Sequence, residues 1–270
     1  AMDAGMYENS ATQANIRTLA ERGAYLAGPE EGRMASGLVG RGRFVEPGDL
    51  LGHMRLLLGR TGRLAGKKVV ISAGGTQESI DPVRVIANRS SGRQGYALAQ
   101  AALDAGAQVS LVTAPVSLKP PVGAMVHPVQ TADEMLKAVL EESTGADALV
   151  MAAAVADFRV KKPAADKLKK QEGIPHLELV KTVDSLKKVS GMKNARPKVM
   201  VGFAAESCDL LENARHKLET KKLDMIAAND ITARDAGFGV DTNRITLLYR
   251  DGSREALPLM GKDEAADIII

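Results

Sequence analysis

The sequence predicts an α/β fold, with a doubly wound, Rossmann-like and mostly parallel sheet, helices on both faces and a C-terminal β-hairpin extension. From Lys67 onward, short apolar segments alternate with stretches of helical periodicity, and this alternation is typical of a parallel sheet. Hydrophobic residues make up 45% of the 270-residue chain but aromatic residues only 3%. These values indicate a globular core of small aliphatic side chains, large enough for one substantial domain.

The individual elements follow from periodicity and from the residues at their ends. Apolar runs predict strands at residues 67–72, 108–113, 147–155, 198–203 and 224–228. Helices are predicted at residues 96–105 and 209–222, and from the capping box of Thr131 and Glu134 to Ser143. Residues 244–250 and 254–257, separated by Asp251 and Gly252, predict the terminal hairpin with a two-residue turn.

The first part of the chain differs from the rest. Residues 1–65 are rich in Gly, Arg and Glu, with helices predicted at residues 10–22 and 49–58 and a glycine-punctuated loop between them. We therefore predict two regions, an N-terminal segment 1–65 with too few apolar strands to fold alone and a domain 66–270.

Composition excludes several classes of function. The net charge of +3 is spread among acidic residues and few aromatic rings are present, which argues against a nucleic-acid partner. Cys208 is the only cysteine, so an internal disulfide is excluded, a reducing cytoplasm fits, and we interpret the thiol as a bystander. The longest apolar run, residues 148–156, is too short to cross a bilayer. The histidines show no metal spacing, so metal ligands stay unknown.

The most informative segment lies between the first strand and the following helix. Residues 88–95 (NRSSGRQG) follow the glycine turn Ala73-Gly74-Gly75. Backbone N–H groups at a helix N-terminus attract an anion, serine hydroxyls add donors, and glycine permits close approach. A phosphate ester or a nucleotide is the ligand that this pattern favours. The alternative is that Ser, Asn and Gly serve only as capping and turn residues.

Further candidate site residues lie at or after the ends of later strands, where a doubly wound sheet has its ligand crevice. The lysine-rich segment 161–170 directly follows the third strand and is interpreted as a flap that closes over phosphates. The alternatives are an alanine-packed strand and solvated charged surfaces. The candidate ligand-binding residues at or after these strand ends are Ala153, Ala154, Asp157, Phe203, Lys217, Lys221 and Asn229.

Familiar nucleotide-binding motifs are missing from the sequence. No G-x-G-x-x-G motif follows the first strand, and no Gly-Lys-Ser/Thr follows the glycines as a Walker loop requires. A bound nucleotide would therefore be held in an unusual way.

Six segments follow one another along residues 66–270: KKVVISAGGTQESIDPVRVIANRSSGRQG (67–95), AAAVADF (152–158), DKLKK (166–170), VGFAAE (201–206), IAAND (226–230) and FGVDTN (238–243). Together they resemble bacterial phosphopantothenate-cysteine ligase, the synthetase half of a bifunctional coenzyme A biosynthesis protein. Residues 1–47 resemble the tail of its partner half, a flavin-dependent phosphopantothenoylcysteine decarboxylase, whose FMN-binding start and catalytic histidine are not in this chain.

The resemblance implies an enzyme that joins 4'-phosphopantothenate to L-cysteine in two steps, with CTP as a substrate and Mg²⁺. The acid first forms an acyl-cytidylate and pyrophosphate, and the cysteine amine then displaces CMP. It further implies a cytoplasmic homodimer with no membrane partner. Any FMN would belong to the missing part of the decarboxylase domain.

The resemblance also assigns roles to single residues. Asn88 would position the acyl intermediate, and Arg84 would reach across the dimer interface to the partner's substrate. Thr182-Val183-Asp184 stands where the family often has Asn-Pro-Asp, so Asp184 is retained. The remaining residues would contact the nucleotide or neutralise its phosphates: Gly74, Ser90, Gly92, Gly95, Ala153, Ala154, Asp157, Lys167, Phe203, Lys217, Lys221 and Asn229.

Two alternatives stay open. The chain could act as a fragment of the decarboxylase, or as a nucleotide-binding module without catalysis.

Overall fold

The computed structural model describes residues 2–169, 173, 175–193, 195–206, 209–230 and 241–270. Cys208, Lys170 and residues 238–240 of the last family segment therefore lie outside the described residues. The chain divides into two compact units, residues 1–58 and 59–270. No helix in the described ranges combines the length and the apolar character that crossing a membrane requires.

The first unit contains short helices and one small sheet. Its helices are α1 (Ala4–Glu8), α2 (Ser10–Glu21) and α3 (Pro47–Gly59), and strands β1 (Glu30–Arg33) and β2 (Val39–Arg43) pair antiparallel. The sequence predicts only a loop between α2 and α3, which is wrong for β1 and β2. These strands consist mainly of Gly and charged residues, so they lack the alternation of apolar and polar residues that identifies a strand. Val45 is the one buried apolar side chain within described residues 2–58.

The second unit contains the large sheet and the remaining helices. The elements in chain order are β3 (Lys68–Ala73), β4 (Gln77–Ser79), β5 (Val85–Ala87), α4 (Arg93–Asp104), β6 (Gln108–Thr113), β7 (Met125–Pro128), α5 (Ala132–Ser143), β8 (Ala148–Met151), β9 (Phe158–Val160), β10 (Leu179–Lys181), α6 (Ser185–Ser190), β11 (Val199–Glu206), α7 (Leu210–Thr220), β12 (Met225–Asp230), β13 (Thr242–Asn243), β14 (Ile245–Tyr249), β15 (Arg254–Ala256), β16 (Met260–Gly261) and α8 (Lys262–Ile269).

The sheet confirms the predicted fold class. Its eight strands lie in the order β7-β6-β3-β8-β11-β12-β14-β15. Neighbours from β7 to β12 are parallel, and the terminal hairpin β14–β15 adds two antiparallel strands. Small antiparallel pairs, β4–β5, β9–β10 and β13–β16, lie outside this sheet. The sequence predicts neither these pairs nor edge strand β7, because their strands are too short to show a period.

Helices cover both faces of the sheet. Val70 belongs to a buried cluster with Met135 of α5, Val189 of α6 and Leu218 of α7. Alternate strand residues face opposite ways, so Ala73 lies on the other face, where Gly95 of α4 packs against it. Helix α8 packs on α4.

Some predicted boundaries are wrong for local reasons. The third strand, predicted at residues 147–155, ends at Met151 because the alanines after it form a bridge and turns instead of a ladder. The terminal hairpin has a three-residue loop, since Tyr249 N–H donates to the Ser253 carbonyl and Gly252 takes a left-handed φ of 87°. The predicted capping box is present, with Glu134 N–H donating to Thr131 Oγ1 at 3.2 Å.

Candidate functional site

A cleft lies at the carboxyl edge of the parallel strands. From β3 the chain continues to β6 on one side of the sheet and later returns to β8 on the other. Loops diverge at such a switch point and leave a crevice. The cleft has a volume of about 620 Å³, which suits a small organic ligand. Its lining includes residues 88–95, 151–157 and 182–186, with Phe203, Lys217, Lys221, Asn229, Asn243 and Lys262.

The alanine segment after β8 forms one wall of the cleft. Buried hydroxyls hold its backbone, since Ala153 N–H donates to Ser72 Oγ at 3.1 Å and Ala156 N–H donates to Thr76 Oγ1 at 2.9 Å. Ala154 N–H donates to the Gly74 carbonyl at 2.8 Å. The segment leaves the sheet but stays fixed, and its methyl side chains leave room for a ligand beside the backbone.

The N-terminus of α4 forms another part of the wall. Gly92 precedes the helix with a left-handed φ of 75°, and no side chain caps the first turn. The first N–H groups of a helix have no carbonyl acceptor within it, and the positive end of the helix dipole adds to their attraction for an anion. Ser90 Oγ is already engaged, as it accepts a 3.4 Å hydrogen bond from Gly92 N–H. This turn can therefore bind a phosphate.

The glycines around this turn allow close packing. A Cβ on Gly95 would lie 2.5 Å from the Cβ of Ala73, and a Cβ on Gly74 would lie 2.8 Å from the Ala114 carbonyl oxygen. Gly74 also has a left-handed φ of 79°. Gly95 and Gly92 line the cleft, whereas Gly74 lies outside the lining residues.

Asn88 lies on the rim and contacts the alanine wall. Its Nδ2 donates to the carbonyl oxygens of Val155 at 3.2 Å and Ala154 at 3.4 Å. Carbonyls accept only, so both bonds require the amide nitrogen and turn Oδ1 away from them.

Basic side chains outnumber acidic ones around the cleft. Arg89, Arg93, Lys217, Lys221 and Lys262 line it, against the carboxylates Asp157 and Asp184. This excess favours a polyanionic ligand.

Several of these charges are already paired. Lys221 Nζ lies 3.0 Å from Asp184 Oδ2, and Asp184 also caps α6 by accepting from Lys187 N–H at 3.1 Å. Arg93 forms an ion pair with Asp241. Burial lowers the pKa of Lys262; Asp241 opposes this shift, and Arg93 adds to it.

Arg84 and Lys167 lie outside the lining of the cleft. Arg84 Nε donates to Asp81 Oδ2 at 2.9 Å, and its guanidinium also donates to the Leu168 carbonyl at 3.0 Å. Leu168 N–H returns a bond to Asp81 Oδ2 at 3.2 Å. The Arg84 guanidinium and backbone N–H donors hold the pKa of Asp81 well below its usual range. The described part of the lysine-rich segment is thus tied to the β4–β5 hairpin.

Sequence reasoning assigned no role to Gln94, Asn243 and Lys262, which the structure brings to the cleft. Gln94 lies within residues 88–95, but its side chain forms hydrogen bonds with Asn243 and with the Lys262 carbonyl, which lie far along the chain. Lys262 begins α8, where Gly261 N–H donates to Glu264 at 2.9 Å. A glutamate three residues after the cap position and the neighbouring acidic Asp263 are signals in the sequence that mark this helix start.

No group of three His, Cys, Asp or Glu side chains that could hold a metal occurs among the described residues. Mg²⁺ usually binds through ligand phosphates and one or two carboxylates, so this finding is compatible with a nucleotide-bound ion. Asp157 is the cleft carboxylate for which the structure records no ion pair within the described ranges.

Comparison with known proteins connects this architecture to one family. The family model described as "DNA/pantothenate metabolism flavoprotein C-terminal domain" matches residues 64–270. The coenzyme A biosynthesis bifunctional protein CoaBC of Bacillus subtilis (strain 168) is 45% identical over 265 residues, which are 97% of this chain and 65% of that protein. The protein of the same name from Vibrio cholerae serotype O1 is 43% identical, covering all of this chain and 67% of its own length.

A solved structure shows the same fold. The C-terminal domain of a coenzyme A biosynthesis bifunctional protein CoaBC aligns with a TM-score of 0.65 and 39% identity, over 76% of this chain and 93% of that one. The chain spans about two thirds of the length of the curated relatives.

Proposed function

Because the chain belongs to the family of the DNA/pantothenate metabolism flavoprotein C-terminal domain, we propose that it acts in coenzyme A biosynthesis as a CTP-dependent phosphopantothenate-cysteine ligase. Its similarity to coenzyme A biosynthesis bifunctional proteins supports the pathway. The substrates are 4'-phosphopantothenate and L-cysteine, and the compartment is the cytoplasm. We place the boundary of the ligase domain at residues 65/66.

One observation carries the proposal: a helix N-terminus without a side-chain cap faces a cleft edged by lysines and arginines at the switch point of the sheet. This arrangement suits a triphosphate, because N–H dipoles and cations both stabilise phosphoryl oxygens. Ser90, Gly92 and Gly95 would hold the phosphates. Phe203, Asn229 and the alanine wall would contact the rest of the nucleotide.

The chemistry proceeds in two balanced steps. The substrate carboxylate attacks the α-phosphorus of CTP, the P–O bond to the β-phosphate breaks, and pyrophosphate leaves. The cysteine amine then attacks the acyl carbon, loses a proton and expels CMP. Lys217, Lys221 and Lys167 would neutralise the phosphates, and Asn88 would position the acyl-cytidylate. A nucleotide-bound Mg²⁺, with Asp157 as its protein ligand, would supply further charge neutralisation.

We also propose that the chain forms a homodimer, and the surface around Arg84 supports this proposal. Val83 and Val85 flank it and are 63% and 42% exposed. Strand β9, which contacts β4, exposes Phe158 at 48%, and its partner β10 exposes Leu179 at 49%. Large apolar side chains exposed on neighbouring elements are candidates for an interaction surface. A second copy seated here would bring Arg84 toward the partner's cleft.

The decisive experiment measures pyrophosphate release by the purified chain. We expect release to require phosphopantothenate and to be faster with CTP than with ATP. Equal release without the acid, or none with any nucleotide, would contradict the ligase assignment. Tight CTP binding without turnover would favour a non-catalytic module instead.

A second candidate function rests on residues 1–65, proposed as the tail of a flavin-dependent decarboxylase. The scarcity of buried apolar side chains in described residues 2–58 supports an incomplete module. The test is the absorbance spectrum of the purified protein with added FMN. A flavin band that stays with the protein would favour this candidate, and a colourless protein would exclude it.

A further inference from the structure

Three side-chain amides form a chain of hydrogen bonds along one side of the cleft. Asn229 Nδ2 donates to Asn243 Oδ1 at 3.3 Å, and Asn243 Nδ2 donates to Gln94 Oε1 at 2.6 Å. Gln94 Nε2 then donates to the backbone carbonyl of Lys262 at 3.3 Å. All four residues line the cleft, and Asn243 is only 3% exposed.

We call this chain of hydrogen bonds, from Asn229 through Asn243 and Gln94 to the Lys262 carbonyl, the relay. Its Lys262 end fixes the direction in which each hydrogen bond is donated. The Lys262 carbonyl can only accept, so Gln94 must turn its nitrogen toward it and its oxygen toward Asn243. Asn243 must then present its nitrogen to Gln94 and its oxygen to Asn229. Asn229 therefore uses its nitrogen within the relay, which leaves its oxygen outside.

Within the described residues, one hydrogen-bond acceptor at the Asn229 end of the relay lacks a donor. Asn229 Oδ1 is buried and has no hydrogen-bond partner within the described part of the chain. A buried acceptor without a donor has lost the hydrogen bonds that it would accept from water, so a bound donor is favoured at this position.

We propose that the relay of Gln94 and Asn243 fixes Asn229 as a hydrogen-bond acceptor for a ribose hydroxyl of the nucleotide. Gln94 lies in the α4 turn assigned to the phosphates, and the ribose is the next group from the α-phosphate. Gln94 and Asn243 are thus positioning residues for specificity. The inference rests on the proposed nucleotide-binding function.

The experiment measures the dissociation constants of CTP, 2'-deoxy-CTP and 3'-deoxy-CTP by calorimetry, without the acid substrate. We expect the native chain to bind CTP about tenfold more tightly than one of the deoxy analogues. Gln94→Leu frees Asn243 and Asn229 to flip, so the ratio should fall to about one. Gln100→Leu on the same helix, where Gln100 donates to Asp104 at 2.9 Å, is the matched control and should keep the native ratio.

A second variant tests polarity instead of packing. In Asn243→Asp both carboxylate oxygens accept, so Asn229 still has to donate its nitrogen there. Overall affinity should weaken with the added negative charge, but the ratio should survive. If Gln94→Leu does not fold, as judged by its melting curve, Gln94→Met makes the same test.

Each outcome decides the question. A native ratio that Gln94→Leu leaves unchanged, or equal affinity for all three nucleotides, overturns the relay alone. A further titration with UTP tests recognition of the base: weaker binding of UTP than of CTP, without ribose discrimination, would assign the donor to the base amino group and also overturn the relay. A chain that neither binds CTP nor releases pyrophosphate overturns the relay and the proposed function together.

Discussion

Oδ2 of Asp81 accepts hydrogen bonds from both the Arg84 guanidinium and the backbone N–H of Leu168, at 2.9 Å from Nε and 3.2 Å from N. The carboxylate is buried, with its residue 2% exposed. One side chain thus joins the β4–β5 hairpin to the segment that contains Lys167. Its ionised state holds the two together.

Asp81→Asn should destabilise the chain in a pH-dependent way. The folded pKa of Asp81 lies below its unfolded value, so its stabilisation is complete above about pH 4 and is lost as the pH falls through the folded pKa. Urea unfolding of the native chain and the variant at pH 7 and in acid measures this. The gap between midpoints should be widest at pH 7 and should narrow in acid. A gap that does not change with pH would contradict the assignment.

Lys221→Met should weaken CTP binding by about 10- to 100-fold. A cation hydrogen-bonded to phosphate contributes about 1.5–3 kcal/mol, and its loss also leaves Asp184, now 3.0 Å from Lys221 Nζ, to repel the phosphates. Calorimetric titration measures the change. Lys222→Met, an exposed neighbour outside the cleft lining, is the control. Equal CTP affinities for the two variants would show that Lys221 does not contribute to nucleotide binding.

Asn88→Asp should separate the two chemical steps. The carboxylate cannot donate to the Val155 and Ala154 carbonyls that now accept from Nδ2, so the rim loses its fixed geometry. We expect the acyl-cytidylate to form while transfer to cysteine falls about 100-fold or more, on the scale of a lost positioning or electrostatic contact. Rapid quenching and mass spectrometry detect the intermediate. Product formation at the native rate would rule out this role.

Gly95→Ala should destabilise the chain despite the better helix propensity of alanine. The added Cβ would lie 2.5 Å from the Ala73 Cβ and 3.0 Å from the Ser72 carbonyl oxygen. Overpacking costs about 1–3 kcal/mol and exceeds the propensity gain of about 1 kcal/mol, for a net loss of up to about 2 kcal/mol. Gly191→Ala is the control, because its nearest contact would be 3.4 Å. Unfolding midpoints compare the two; no loss for Gly95→Ala would mean that α4 can shift.

Phe158→Asp should convert a dimer to monomers. Burying a carboxylate where an exposed ring now lies would leave an unpaired charge at the interface and weaken association about 100-fold or more. Analytical ultracentrifugation measures the association state. Ile268→Asp, at a side chain 46% exposed on α8, should leave it unchanged. Dimers that persist in Phe158→Asp place the interface elsewhere.

Much of the fold follows from short windows of sequence. The capping box of Thr131 and Glu134 and the apolar runs of β3 and β6 encode their elements locally, so their prediction needed no tertiary information. Prediction failed for β1 and β2, because glycine and charged residues hide their alternation, and for the small pairs, because their strands are too short to show a period. The predicted end of β8 is also too late. Alanine is compatible with a strand, but the backbone N–H groups of Ala153 and Ala156 donate to the hydroxyls of Ser72 and Thr76 instead of continuing the strand.

The sequence by itself determined the order of strands and helices and the glycine-serine turn before α4, because periodicity, capping and backbone freedom depend on neighbouring residues. Tertiary structure alone decided that Gln94, Asn229, Asn243 and the Lys262 carbonyl meet beside one cleft. Hydrogen bonds require partners within about 3.5 Å, and residues so distant in the chain reach that separation only after β12, β13 and α8 have assembled around α4.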